Sequence, residues 1–165
     1  MVLVDVRDLL VDRGAARKVT LEERFDGLGT ELAKVPGEVP VRVDVVLERV
    51  SEGVAVSGPL SGKIAYSCAR CLKPFDRDFR FEVSELFAPE AAEDDDEYPI
   101  REGHIDLEPM VRDTVVLAMP FSPLCRPDCL GLCERCGGDR NLGECTCGPE
   151  ADPRWTILDQ LQLDE

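Results

Sequence analysis

The clearest pattern in the chain is an alternation of apolar and polar residues that begins near residue 39. From residue 41 to residue 47 every second position is apolar, namely Val41, Val43, Val45 and Leu47. This two-residue period predicts a strand with one buried face. The alternation returns after a turn at Ser51-Glu52-Gly53, first in residues 54–66, where Gly58-Pro59 is expected to interrupt the strand, and again in residues 79–83.

The connections between these three runs are too short for helical crossovers. We therefore predict an antiparallel β-meander or a partly closed barrel. Before the meander, residues 2–6 and 17–25 are weaker candidates for short strands, and Arg13-Gly14-Ala15 is a candidate turn. The glycine-rich residues 26–30 are read as a loop, since the Gly-Lys-Ser/Thr ending of a phosphate-binding loop is missing.

A helical period appears only in residues 105–120. Asp106 is a candidate N-cap, Pro109 is tolerated in the first helical turn, and Pro120 ends the helix. Positions with helical spacing form one apolar face: Leu107, Met110, Val111, Thr114, Val115 and Ala118. We expect this helix to pack on the sheet, with Met110 and Met119 as core residues, which makes the fold class α+β.

Residues 88–104 separate the meander from the helix and are expected to be an acidic linker. Residues 88–100 contain six acidic residues and no basic residue. Such a run buries little apolar area, so it favours a mobile linker. The alternative is an acidic arm that holds a basic partner or imitates nucleic acid. His104, the one histidine of the chain, lies at the end of this segment and is expected to be an ordinary exposed residue.

All eight cysteines lie in two clusters, with turn-forming residues between them. The first cluster is Cys68-x2-Cys71, and residues 67–74 are expected to form a zinc knuckle at the tip of a hairpin. The second cluster contains Cys125, Cys129, Cys133, Cys136, Cys145 and Cys147. A disulfide scaffold is the alternative in a secreted protein, and a redox pair is the alternative for Cys68 and Cys71.

Loop lengths suggest how the cysteines share two zinc ions. Cys133, Cys136, Cys145 and Cys147 can form one local site, because the loop that closes it is short and rich in glycine. Cys125 and Cys129 are then left to join Cys68 and Cys71, and this second site would staple the C-terminal module to the hairpin. The competing partition takes all ligands from the C-terminal cluster and leaves Cys68 and Cys71 free.

The expected organisation follows from these segments. It comprises a β-rich domain over residues 1–87, the linker over 88–104, the helix over 105–120, and a cysteine-rich zinc module with a C-terminal helix over 121–165. Asp152-Pro153 is the start signal of that last helix, and Trp155, Leu158 and Leu161 share its apolar face.

Charge limits the partners. The 165 residues carry a formal net charge of −15, which weakens nonspecific binding to nucleic acid. Residues 63–80 reverse this balance, with a local charge of +3 from two acidic and five basic residues: Lys63, Arg70, Lys73, Arg77 and Arg80. This basic hairpin is either a solvated face with counterions for the thiolates or a surface that contacts RNA phosphates.

The start of the chain has no apolar run typical of a signal peptide, and no stretch is long enough to span a membrane. We therefore expect a soluble cytoplasmic protein without a membrane partner. With one histidine and cysteines suited to closed metal sites, we expect no catalytic residues and no small-molecule substrate.

The chain resembles the YceD proteins, also called large ribosomal RNA subunit accumulation proteins. The resemblance rests on Cys68-Ala-Arg-Cys71-Leu-x-Pro-Phe after a valine-rich meander, on the helix from Ile105-Asp106-Leu107 to Pro120, and on Leu124-Cys125-Arg-Pro-Asp-Cys129-Leu-Gly-Leu-Cys133-x-x-Cys136-Gly. It implies a non-enzymatic role in the accumulation of large-subunit ribosomal RNA, and hence in assembly of the large ribosomal subunit.

Three functions from different classes are therefore expected. The first is an assembly factor that binds large-subunit ribosomal RNA, or its precursor particle, through the basic hairpin. The second is an acidic adaptor that chaperones a basic ribosomal protein. The third is a redox sensor that releases zinc when its thiols are oxidised.

Overall fold

The computed structural model describes residues 1–12, 14–89, 91 and 97–148. Its elements confirm the α+β class. In chain order they are β1 (Leu3–Asp5), α1 (Arg7–Val11), β2 (Ala16–Glu23), β3 (Ala33–Lys34), β4 (Val41–Arg49), β5 (Val54–Ser67), β6 (Pro74–Ala88), β7 (Tyr98–Pro99), β8 (His104–Asp106) and α2 (Leu107–Ala118).

The main sheet has the strand order β2-β4-β5-β6-β7, and β3 pairs with the end of β5. Strands β4, β5 and β6 form the predicted antiparallel meander. Among the described strands, only the β6–β7 pair is parallel. Strands β2 and β7 stand at opposite ends of this order, so the sheet formed by the described residues is open and not a closed barrel.

The predicted break at Gly58-Pro59 is wrong, because β5 is one strand of 14 residues. Its pairing with β6 runs without interruption from Val54↔Phe87 to Ser67↔Pro74. Gly58 and Pro59 disturb only the side that faces β4, and the register there is the same before and after them. Gly58 has φ +145°, and a Cβ atom on it would lie 2.4 Å from the carbonyl oxygen of Asp44. Glycine therefore lets β4 and β5 stay together at this point.

The core lies between the inner face of the sheet and α2. The four alternating residues of β4 are fully buried, and so are Phe87 of β6 and Met110 of α2. The carboxylate of Asp106 caps α2 by accepting a hydrogen bond of 3.0 Å from the Glu108 amide. The helix prediction is confirmed, as is the core position of Met110 and Met119, which are 0% and 5% exposed.

The N-terminal residues close one end of the molecule. β1 pairs with β8, and β2 pairs along its full length with β4, so both weak strand predictions are confirmed. Helix α1, which was not predicted, has five residues, too few for a helical period to be recognised.

The end of the predicted linker is folded. Tyr98 of β7 pairs with Phe87, stacks its ring on Phe87 and donates a hydrogen bond of 2.8 Å to Asp113 of α2. Most of the acidic run, and the predicted helix with Trp155, Leu158 and Leu161, lie outside the described residues. Within the described part of the chain, neither helix has the length and apolar character needed to cross a bilayer.

Candidate metal centres

The turn between β5 and β6 presents the first two cysteines. The Cys68 amide donates to the Lys73 carbonyl (3.0 Å), and the Leu72 amide donates to the Cys68 carbonyl (2.9 Å). Leu72 adopts the left-handed conformation, with φ 60°, which is uncommon for a residue with a bulky side chain. These bonds close a tight turn around Cys68 and Cys71, as the predicted knuckle requires.

The segment after α2 lies directly on this turn. The Ala69 amide donates to the Pro123 carbonyl (2.8 Å), and the Leu132 amide donates to the Arg70 carbonyl (2.9 Å). Gly131 has φ +74°, and a Cβ atom there would lie 2.9 Å from the Arg70 carbonyl oxygen. The backbone between Pro123 and Leu132, which carries Cys125 and Cys129, is therefore held against the hairpin by main-chain contacts.

We call the resulting group of Cys68, Cys71, Cys125 and Cys129 the hairpin centre. Its four sulfur atoms lie within 4.8 Å of one another. The Cys68–Cys129 and Cys71–Cys125 sulfur distances are 3.8 and 3.7 Å. A tetrahedron with metal–sulfur bonds of about 2.3 Å has edges of about 3.8 Å, whereas a disulfide bond is about 2.05 Å long. The donor set therefore fits a tetrahedral metal ion and not a disulfide.

The second group comprises Cys133, Cys136, Cys145 and Cys147, and we call it the tail centre. Its sulfur atoms also lie within 4.8 Å of one another. The Cys133 amide donates to the Gly138 carbonyl (2.9 Å), and the Gly137 amide donates to the Cys133 carbonyl (2.8 Å). These bonds form a tight turn after Cys133, with Gly137 in the left-handed conformation at φ +72°.

The cysteines are grouped in the structure as the loop lengths predict, and both groups can hold a metal ion. The centres differ in exposure. Three cysteines of the hairpin centre are buried, whereas Cys136 and Cys147 of the tail centre are exposed. The hairpin centre is thus part of a small core with Phe75, Leu124 and Leu132, while the tail centre faces solvent.

The thiols of the hairpin centre have opposing pKa shifts. Burial raises the pKa of Cys68, but hydrogen bonds from the backbone amides of Cys125, Cys71 and Arg70 outweigh this effect and lower the pKa to about 6. Burial and the neighbouring thiols raise the pKa of Cys125 to about 12. The amides around the turn therefore stabilise one thiolate, whose negative charge opposes ionisation of the others.

The tail centre shows the same arrangement. The backbone amides of Cys136 and Arg135 lower the pKa of Cys133 to about 6, while the neighbouring thiols, Cys136 first, raise the pKa of Cys147 to about 12. Four thiols at this spacing can all ionise only when a cation compensates their charge. Both groups thus have the chemistry of a site for a thiolate-bound cation.

The basic hairpin residues fall into two sets. Arg70 and Arg77 donate to the carbonyls of Cys129 (2.8 Å) and Leu124 (2.9 Å), and Lys73 forms an ion pair of 2.7 Å with Asp139. These three side chains therefore hold the cysteine-rich segment on the hairpin. The other two, Lys63 and Arg80, have exposed side chains whose acidic partners, Asp78 and Glu82, are also exposed.

Two polar residues between the centres, Asp139 and Asn141, were not predicted from the sequence. Asp139 is 5% exposed, and its pKa is lowered to about 2 by Lys73 and by the donors of Asn141. Asn141 reaches the sulfur of Cys129, with 3.7 Å between Nδ2 and Sγ. The Asp-x-Asn pattern in a glycine-rich loop is typical of a turn that side chains stabilise, and this pattern could have identified both residues from the sequence.

One protein family matches the part of the chain that carries all eight cysteines. Residues 56–162 match the family described as large ribosomal RNA subunit accumulation protein YceD. The chain belongs to the YceD family. The matched region contains most of β5, all of β6 and α2, and both four-cysteine groups.

Several YceD-like relatives are found in bacteria and plants. An uncharacterized protein of Mycobacterium tuberculosis is 36% identical over 140 residues, which is 81% of this chain and 68% of that protein. The uncharacterized protein YlbN of Bacillus subtilis is 27% identical over 140 residues, 79% of this chain and 81% of its own. The chloroplastic YCED homolog 1 of Arabidopsis thaliana is 23% identical over 185 residues, 87% of this chain and 58% of its own. No solved structure matches the chain.

Proposed function

We propose that this chain is a non-enzymatic factor in the accumulation of large-subunit ribosomal RNA, and that it holds two structural zinc ions. One observation carries the proposal: two complete groups of four cysteines occur in a chain whose family description names that process. The zinc ions would fix the cysteine-rich segment to the hairpin, so that the two form one surface. We further propose that it acts in the cytoplasm, on a precursor of the large ribosomal subunit.

Zinc is proposed because of the donor set. Four thiolates in tetrahedral arrangement suit zinc or iron, and sites of this kind that leave no open coordination position are typical of structural zinc. Each bound zinc ion would supply two positive charges to its centre. The eight cysteines would supply all of the metal ligands. Elemental analysis of the purified protein, with two zinc ions per chain expected, tests this part of the proposal.

The absence of enzymatic activity is proposed from the same chemistry. A metal ion enclosed by four thiolates has no position at which to activate water. His104 is the first residue of β8, where it pairs with Asp5 of β1, and its Nδ1 atom lies 3.0 Å from the Glu102 carbonyl oxygen. Nothing in the described structure brings it to a cysteine.

The proposed contact with RNA depends on Lys63 and Arg80. Their side chains are 48% and 66% exposed, and their ion pairs with Asp78 and Glu82 are surface pairs of 3.8 and 3.5 Å. Exposed ion pairs contribute little stability, about 0–1 kcal/mol, so a phosphate group can replace the carboxylate at small cost. Arg70, Lys73 and Arg77 are proposed to support this surface, because each side chain already donates to a group of the cysteine-rich segment.

A second candidate is the acidic adaptor for a basic ribosomal protein. It is favoured by the observation that all five basic residues of the hairpin have polar partners within the chain. With a net charge of −15, a basic polypeptide would be attracted at long range, whereas RNA would be repelled.

A pair of double variants separates these two candidates. Lys63→Glu with Arg80→Glu reverses the exposed charges of the hairpin without touching the contacts of the cysteine-rich segment. The control, Arg24→Glu with Arg101→Glu, introduces the same change in net charge at two exposed arginines outside the hairpin. Both proteins are first checked for unchanged metal content.

Co-sedimentation with large-subunit precursor particles is then measured at about 50 and about 200 mM salt. We expect the hairpin variant to lose at least about tenfold in binding at the lower salt and the control to bind normally. Equal binding by the hairpin variant would reject the RNA contact. Capture of a purified basic ribosomal protein by both variants, without RNA, would support the adaptor instead.

A further inference from the structure

The loop between Cys136 and Cys145 belongs to the tail centre, because both of its ends are ligand candidates of that centre. Within the loop, the Asp139 carbonyl accepts hydrogen bonds from the amides of Leu142 (3.1 Å) and Glu144 (3.2 Å). The Glu144 carboxylate accepts one in return from the Asp139 amide (3.1 Å). A metal ion at the tail centre would tie the ends of this loop together and reduce the entropy cost of ordering it.

The middle of the same loop forms part of the hairpin centre. The Nδ2 atom of Asn141 lies 3.7 Å from the sulfur of Cys129, at hydrogen-bonding distance for a sulfur acceptor. The Oδ1 atom of Asn141 accepts hydrogen bonds of 2.8 Å from the Leu130 amide and from the Arg126 guanidinium. One side chain of the tail loop therefore contacts both a thiol of the other centre and the backbone beside it.

Asp139 fixes the orientation of this side chain. Its Oδ1 atom accepts hydrogen bonds of 2.8 Å from both the backbone and the side-chain nitrogen of Asn141. If the side-chain amide of Asn141 were flipped, its oxygen would face the Oδ1 atom of Asp139. The hydrogen bond from the Leu130 amide would be lost as well. Lys73, two residues after Cys71, in turn forms the ion pair with Asp139. The network thus runs from one side of the hairpin centre, through the tail loop, to the other side.

We propose that Asn141, held by Asp139, couples the two metal centres, so that a metal ion bound at either centre strengthens metal binding at the other. This inference rests on the proposed binding of two zinc ions. Asn141 acts as a positioning residue, because its amide donates to a ligand sulfur and not to the metal itself. Hydrogen bonds of this kind to metal ligands typically change metal affinity by about 10–100-fold.

The coupling can be measured with full-length proteins and zinc alone. A chromophoric chelator competes for zinc with the wild type, with a variant that has serine for the four tail-centre cysteines, and with one that has serine for the four hairpin-centre cysteines. The coupling factor is the overall two-ion constant of the wild type divided by the product of the two single-centre constants. We expect this factor to be about 10–100.

The same cycle is repeated with Asn141→Ala and with the matched control Leu142→Ala, whose side chain is 64% exposed in the same loop. We expect Asn141→Ala to bring the factor to about 1 and Leu142→Ala to keep the wild-type value. Asn141→Asp, which turns an oxygen toward the sulfur of Cys129, should weaken zinc binding at the hairpin centre at least as much as Asn141→Ala.

Two results would overturn the coupling: a wild-type factor within about threefold of 1, or an unchanged factor in Asn141→Ala. A wild-type protein that binds fewer than two zinc ions would reject the zinc proposal itself. The two failures are distinguishable because zinc stoichiometry is measured before the competition.

Discussion

Arg70 has three separate roles at the hairpin centre. Its carbonyl accepts a hydrogen bond from the Leu132 amide, the same carbonyl leaves no space for a side chain at Gly131, and its guanidinium donates to the backbone carbonyl of Cys129. With Lys73 and Arg77 it also places positive charge beside a group that would carry a net charge of −2 with a divalent ion. The basic residues are therefore explained first by the stability of this centre.

Gly131 lies where the cysteine-rich segment approaches the hairpin closely, and a substitution there tests whether this close approach contributes to stability. We expect Gly131→Ala to destabilise the metal-bound protein by about 2–4 kcal/mol, because it combines a left-handed residue with a contact to the Arg70 carbonyl. The control is Gly143→Ala, at φ +72° with open space around it, which should cost only about 1–2 kcal/mol. Denaturant unfolding measures both values, and equal costs would show that the close approach has no energetic role.

At the scale of elements, the sequence predicts a strand best where buried and exposed positions alternate regularly along it. The alternation in β4 identifies its buried residues because one side of that strand faces the core along its whole length. The continuity of β5 was missed, since a local rule for Gly-Pro ignores the uninterrupted pairing on the other side of the strand. The short elements α1, β3 and β7 could not be predicted, because tertiary contacts and not periodicity stabilise them.

The two faces of β4 give a direct test of this pattern. Val45 is fully buried and its neighbour Val46 is 39% exposed, so Val→Ala removes the same atoms from opposite faces. We expect Val45→Ala to lower the free energy of unfolding by about 2 kcal/mol and Val46→Ala by less than about 0.5 kcal/mol. Thermal or urea unfolding compares them. Similar losses would mean that this face of the sheet is not the core.

At the scale of the whole molecule, the described residues form two apolar clusters of very different size. The large one joins the sheet to α2, and the small one surrounds the hairpin centre. Among the described residues 121–148, only Pro123, Cys129, Gly131 and Asp139 are buried. This region has no hydrophobic core of its own, so the two proposed zinc ions would be its main source of stability.

The cysteine partition was predictable because loop length limits which sulfurs can meet. The roles of Arg70, Lys73 and Arg77 were not predictable, because their partners come from a segment 47 to 66 residues away in sequence. Local charge left two interpretations open, a solvated face with counterions for the thiolates and a surface that contacts RNA phosphates. The direction of each side chain depends on how the cysteine-rich segment docks, which is a property of the whole fold.

Removal of metal should therefore unfold one part of the molecule and leave the other. Structural zinc contributes about 10–16 kcal/mol in small modules, which is comparable with the stability of a whole domain. We expect chelation under reducing conditions to expose residues 121–148, while the sheet and α2 keep their core. Limited trypsin digestion followed by mass spectrometry reports this difference.

The digestion has internal controls within the same chain. Cleavage after Arg135 and Arg140 should accelerate strongly without metal, whereas Arg42 in β4 and Arg80 in β6 should stay protected. Re-addition of zinc should restore protection of the first two sites, because the ligands lie in a segment that can refold on the intact hairpin. Uniform cleavage of all four sites would mean that the sheet also depends on metal. Unchanged protection of the tail would instead show that hydrogen bonds such as those of Arg70 and Arg77 hold it without an ion.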